Sequence, residues 1–106
     1  MKILNEICDI KSKCVIYGAG TIGRSFCDLL VSQGFEVMYF IDSFPKGEVL
    51  NLKVHKPEKR FLFGDFQIIV ASTHWDEISK YLNELKVDFK ILSNKLLFLS
   101  TRLSSM

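Results

Sequence analysis

Cys14-Val15-Ile16-Tyr17-Gly18-Ala19-Gly20-Thr21-Ile22-Gly23 joins a run of strand-forming residues to three glycines spaced as GxGxxG. The run Cys14 to Tyr17 is apolar throughout, which suits a central parallel strand covered on both faces. Beyond the glycines, Ile22, Phe26, Leu29 and Leu30 fall at i, i+4, i+7 and i+8, the spacing of an amphipathic helix. Gly34 is well placed to end that helix. Val37 to Ile41 then reads as a second buried strand, and it ends at Asp42. Strand, glycine turn, helix, strand and acid follow in the order of a dinucleotide-binding unit. Asp42 stands about 20 residues past Gly23, where such units carry the acid that meets the ribose.

Each glycine has a physical task in this reading. Gly18 permits the tight turn, Gly20 lets the backbone approach a pyrophosphate, and Gly23 lets the helix pack closely on the strand. The free N–H groups and partial positive charge of the helix start would face phosphate oxygens. Asp42 would accept from ribose hydroxyls and repel a 2′-phosphate, which favours NAD over NADP.

Downstream, Pro45-Lys46-Gly47 reads as a turn and Leu52-Lys53-Val54 as a short strand. Pro57 fits the first position of a short helix over residues 58–63, ended by Gly64. Phe66 to Ala71 is a further strand, and Ser72 or Thr73 caps a helix from Trp75 to Leu85. Phe89 to Leu92 is the last strand. Upstream, Ile3, Leu4, Ile7 and Ile10 share one face of a short N-terminal helix. Strands alternating with helices give an α/β fold with right-handed crossovers. The expected sheet is five-stranded and mostly parallel, of order 3-2-1-4-5, with helices on both faces. One domain over residues 1–106 is expected, with a core over 13–93, an N-terminal helix over 1–12 and a docking tail over 94–106.

Composition agrees with one ordinary globular unit. The chain has 106 residues, 48% hydrophobic and 25% charged, with a net charge of +2. That balance gives no argument for nucleic acid or an anionic membrane. The longest apolar runs fall far short of the roughly 18 residues of a membrane span. Glu6 and Asp9 interrupt any signal-peptide core, so a cytoplasmic protein is expected. Cys8, Cys14 and Cys27 have no CxxC spacing and read as reduced buried thiols. His55 and His74 lack metal-ligand spacing with any cysteine, so no metal is expected.

Val15 to Gly23, Phe40-Ile41-Asp42, Pro45-Lys46-Gly47, Val54, Pro57-Glu58 and Asp65 to Ala71 together resemble a known domain. It is the small Rossmann-like nucleotide-binding domain of bacterial sugar-nucleotide enzymes. That domain precedes sugar-nucleotide acetyltransferases and membrane-linked nucleotide-sugar dehydratases, and also occurs near surface-polysaccharide methyltransferases. The resemblance implies an NAD-like nucleotide or a UDP-sugar over the glycine loop. Gly18, Ala19, Gly20, Thr21, Ile22 and Gly23 would line the phosphates, and Asp42 would lie by the ribose or base. Many members carry two acids where this chain has Asp42-Ser43, which leaves the nucleoside open.

The catalytic parts of those enzymes have no counterpart here. The acetyltransferases act through a separate left-handed β-helix domain. The dehydratases use a Tyr-x-x-x-Lys pair, whereas Tyr17, Tyr39 and Tyr81 are followed four residues later by Thr21, Ser43 and Leu85. The expectation is a binding domain without a catalytic residue of its own, working with a partner enzyme chain and forming a homodimer. Two rival readings remain. One is an NAD-dependent oxidoreductase or sugar-nucleotide modifying enzyme with its site between subunits. The other is an interaction module whose glycine loop is vestigial. Ser72, Thr73 and His74 follow the strand beside the central one, at the switch point where open α/β sheets bind ligands. Ser72 and His74 are candidate ligand contacts, and Trp75 reads as packing. Lys53, His55, Lys56, Lys59 and Arg60 read as a solvated face.

Overall fold

The computed structural model describes residues 12–45 and 47–91. The expected N-terminal helix, the docking tail over 94–106 and Lys46 lie outside those residues. Six strands and three helices follow one another: β1 (Lys13–Tyr17), α1 (Thr21–Ser32), β2 (Glu36–Ile41), β3 (Glu48–Val49), β4 (Leu52–His55), α2 (Lys59–Leu62), β5 (Gln67–Val70), α3 (Trp75–Glu84) and β6 (Phe89–Ile91). The sheet order is β3-β4-β2-β1-β5-β6. β1, β2, β4, β5 and β6 pair in parallel and only β3 runs antiparallel, against β4.

The five parallel strands thus stand in the expected order, and the sheet gains a sixth. The addition is a hairpin, and its two-residue loop is Leu50-Asn51, both with positive φ (53° and 64°). A two-residue hairpin loop of this hand favours Asn-Gly. Leu50 carries no such signal, so the sequence shows one short strand where there are two.

Alternation along β1 sends side chains to both faces. Cys14 and Ile16 pack under α1 with Phe26, Cys27, Leu30, Phe40 and Ile69. Val15 and Tyr17 pack on the other face with Ile41, Leu62, Ile68, Val70 and Leu82. β2 reaches both layers through a bulge. The register against β1 slips between Cys14 and Val15, which pair with Val37 and Tyr39. Met38 is the extra residue, and it is partly exposed. An unbroken strand would put Val37 and Tyr39 on one face. The bulge lets Val37 and Phe40 face α1 while Tyr39 and Ile41 face the opposite layer.

Both long helices end in the same way. Gly34 (φ 90°) donates to the Val31 carbonyl at 3.1 Å, and Phe35 to the Leu30 carbonyl at 3.0 Å. Lys86 (φ 58°) donates to the Asn83 carbonyl at 3.0 Å, and Val87 to the Leu82 carbonyl at 3.0 Å. Each is a Schellman closure with an apolar residue sealing the end. α2 is shorter than expected: Glu58 is its N-cap, so Pro57 precedes the helix rather than starting it. No helix among the described residues is long and apolar enough to cross a membrane.

Candidate functional site

Backbone bonds continue past the strand ends and gather three loops at one edge of the sheet. Gly18 donates to the Ile41 carbonyl at 2.8 Å, Ala71 to the Tyr17 carbonyl at 3.0 Å, and Asp42 to the His55 carbonyl at 2.9 Å. The glycine loop, the Asp42 turn and the Ser72–His74 loop therefore meet at the carboxyl ends of β1, β2 and β5. This is the switch point, where α1 covers one face of the sheet and α3 the other.

Gly18 has φ 127°, and a Cβ there would lie 2.5 Å from the Ala71 carbonyl oxygen. Only glycine fits both demands. A Cβ on Gly23 would lie 1.7 Å from the Gly18 carbonyl oxygen. Gly23 thus closes the loop on itself; its contact with the β1 side chain of Ile16, at 3.6 Å, is ordinary. Gly20 is different. Its backbone is extended (φ −84°, ψ −164°), and a Cβ would meet nothing within 4 Å. Neither strain nor packing in the protein requires glycine there.

Gly20 is the N-cap of α1, and no side chain caps the helix. The N–H groups of Thr21, Ile22 and Gly23 lie in the first turn, where no intrahelical acceptor exists. That turn contains no acid. Arg24 lies beside it, with its Nε 3.4 Å from the Gly20 carbonyl, and adds positive charge. The turn opens on a cavity of about 410 Å³ lined by Gly18 to Ile22, Asp42, Phe44 and Ala71 to His74. A cavity of about 250 Å³ shares Gly18, Asp42, Phe44, Ser72 and His74 with it and adds Tyr17, Ser43, Glu77 and Ile78.

Asp42 is tied into this edge through both oxygens. One accepts the Ala19 N–H at 3.0 Å, and the other accepts the Phe44 N–H at 2.9 Å. The second bond is an Asx turn. Ala19 therefore commits its N–H to Asp42, and the backbone donors left for an anion are those of Gly20 and the first helical turn. Each Asp42 oxygen keeps a second acceptor site.

Ser72 accepts the His74 N–H at 3.0 Å. His74, not Ser72 or Thr73, is the N-cap of α3, and its side chain makes no capping bond. Trp75 is 40% exposed.

All ten sequence-derived site residues except Gly23 line one or both cavities, and Gly23 sits directly behind them. Four neighbours were not anticipated. Phe44 is 80% exposed at the mouth of both cavities. An aromatic ring inside a polar turn was the signal for it. Tyr17, Glu77 and Arg24 gave none, because their positions read as strand interior and helix surface.

Tyr17 is buried, and burial raises its hydroxyl pKa; a hydrogen bond with Ser43 opposes the rise, while Tyr81 and Asp42 add to it. Burial lifts both thiols, Cys14 and Cys27, to about 11, with Asp28 adding at Cys27. His55 lies away from the crevice, stacked on Phe61 at 3.8 Å. Its burial, with Lys53 and Arg60 nearby, lowers its pKa against the pull of Glu58. Among the described residues, no three His, Cys, Asp or Glu side chains converge on a possible metal position.

No family model matches this sequence, and no curated protein matches it. Among solved structures, UDP-D-quinovosamine 4-dehydrogenase from Vibrio fischeri is similar, with a TM-score of 0.58. The two are 24% identical over 79% of this chain and 80% of that one. The chain has a Rossmann-like fold.

Proposed function

We propose that this domain binds a nucleotide, NAD-like or the nucleotide part of a UDP-sugar, at the carboxyl edge of its sheet. The observation that carries the reading is Gly20. It is a glycine without positive φ or close packing, placed at the uncapped start of α1 and facing a 410 Å³ cavity. A phosphate approaching the first-turn N–H groups explains the missing side chain. Phe44 then offers a ring face to the base, and the spare acceptor sites of Asp42 meet the ribose. A setting in sugar-nucleotide or surface-polysaccharide metabolism is supported by the resemblance of residues 15–71 and by the dehydrogenase neighbour. The reading assigns no catalytic residue, so chemistry on the bound nucleotide falls to a partner enzyme chain.

The test is a thermal-shift series with NAD, NADP, UDP and UDP-N-acetylglucosamine, confirmed by calorimetry. A ligand at 100 times its Kd adds about 2.7 kcal/mol. In a domain of this size that raises Tm by about 10 °C. The Gly20→Val protein keeps its fold and loses the shift. No shift with any nucleotide, or an equal shift in Gly20→Val, removes the proposal.

A further inference from the structure

The crevice does not stop at Asp42. The 250 Å³ cavity shares Tyr17, Ser43, Glu77 and Ile78 with a further cavity of about 330 Å³, which adds Pro57 and Tyr81. One continuous groove thus runs from the start of α1 to the α3 face of the sheet. Its two ends differ in charge. At the α1 end stand uncapped N–H groups, with Arg24 next in the helix but outside the cavity's lining. At the far end, among the described residues, no lysine or arginine lines either cavity; the lining carries the carboxylates of Asp42 and Glu77 and, in the first of the two, His74.

The far end also has a fixed set of hydroxyl partners. Tyr17 is 4% exposed and bonded to Ser43. Tyr81 donates to the Pro57 carbonyl at 2.8 Å, which pins its ring beside Pro57 and Ile78. Glu77 is exposed in the first turn of α3, where the helix dipole favours its charge. A carboxylate and three hydroxyls, two of whose protons are already committed, offer mainly acceptors to a ring of hydroxyls, and the apolar floor offers surface to its C–H face. An anionic group there would meet carboxylates with no lysine or arginine among the described lining residues to offset them.

We propose that the groove lined by Tyr17, Ser43, Glu77 and Tyr81 holds a neutral sugar ring carried on the diphosphate bound at the α1 end, and that Glu77 excludes acidic sugars. This rests on the nucleotide reading above and names the rest of its ligand.

Calorimetry with UDP, ADP and GDP, each beside its glucose derivative, tests it. For the nucleoside diphosphate that binds, the glucose derivative binds at least about tenfold more tightly. The glucuronate derivative binds no more tightly than the bare diphosphate. Glu77→Ala brings the glucose derivative down to the diphosphate and leaves the diphosphate unchanged. Glu77→Lys reverses the preference in favour of glucuronate. Because Glu77 is exposed, both variants fold, and the lost interaction with the α3 dipole lowers Tm without ligand by only a few degrees. A diphosphate that binds as tightly as its glucose derivative overturns this inference and leaves the nucleotide reading standing. Tighter binding of NAD than ADP, lost in Glu77→Ala, with no gain from glucose, gives the groove to a nicotinamide riboside and also overturns it. If none of these ligands binds, the nucleotide reading falls and takes this inference with it.

Discussion

Gly20→Asp separates a ligand site from a folding element because its two effects have opposite signs. Gly20 already has the extended backbone of an N-cap, and its Cβ position is empty. An aspartate there accepts from the free N–H groups of the first turn. The cap itself adds a few tenths of a kcal/mol over glycine. The charge at the helix start adds about 0.5 kcal/mol. Replacing glycine restricts the unfolded chain and adds about 0.5 kcal/mol more. The sum is about 1 to 1.5 kcal/mol, or roughly 5 °C in Tm. Binding moves the other way. The new carboxylate occupies the donors a phosphate needs and stands about 4 Å from where it would sit. The repulsion lies between about 1 kcal/mol in bulk water and about 4 kcal/mol near a protein surface. With the lost hydrogen bonds the penalty exceeds about 2 kcal/mol, roughly thirtyfold in Kd. Differential scanning calorimetry and titration calorimetry on the same samples read both numbers. A variant with raised Tm and unchanged nucleotide affinity refutes the site. A lowered Tm refutes the N-cap geometry.

Other outcomes follow from the backbone and the core. Gly23→Ala pushes a Cβ into the Gly18 carbonyl at 1.7 Å. It should cost about 3 kcal/mol or more, seen as a fall in the denaturant midpoint. Lys86 pays a left-handed cost that glycine avoids, so Lys86→Gly should raise stability by about 1 kcal/mol in the same measurement. Burial holds the Cys14 and Cys27 thiols protonated up to about 11 in the folded protein. In the unfolded chain they ionise near 8.5. The unfolded state therefore binds fewer protons above that value, and stability falls as pH rises from about 8.5 towards 11, by the order of 2–3 kcal/mol per thiol. Urea midpoints that stay flat across that window for wild type, or fall equally in Cys14→Ala/Cys27→Ala, contradict this.

How much of this was legible in the sequence depends on whether one residue type or a pair of distant groups sets the feature. The β1–α1–β2 unit was legible because apolar run, glycine spacing and helical period point the same way, and Gly34 marks the helix end by composition alone. The sixth strand was not, because Leu50 and Asn51 adopt positive φ without the glycine that normally announces it. The bulge at Met38 was hidden for another reason. Val37 to Ile41 is apolar on both faces, so a slip of one residue leaves the pattern unchanged. The end of α3 at Lys86 carries no glycine either.

The acid shows the limit most clearly. Spacing places a carboxylate at the end of β2 but says nothing of which donors reach it first. Here Asp42 takes the Ala19 and Phe44 N–H groups, so its first function is to lock the glycine loop to the turn that carries Phe44. That arrangement changes what the glycine motif can do. With Ala19 committed, the backbone donors open to the proposed phosphate are those of Gly20 and the first helical turn, next to Arg24 and under the empty Cβ position of Gly20. The same carboxylate, with two acceptor sites left and Ser43 beside it, faces the groove towards Glu77. Asp42 thus marks the point where the crevice turns from donors to acceptors. The ligand proposed above, a diphosphate carrying a sugar, changes from anionic to hydroxyl-rich at that same point.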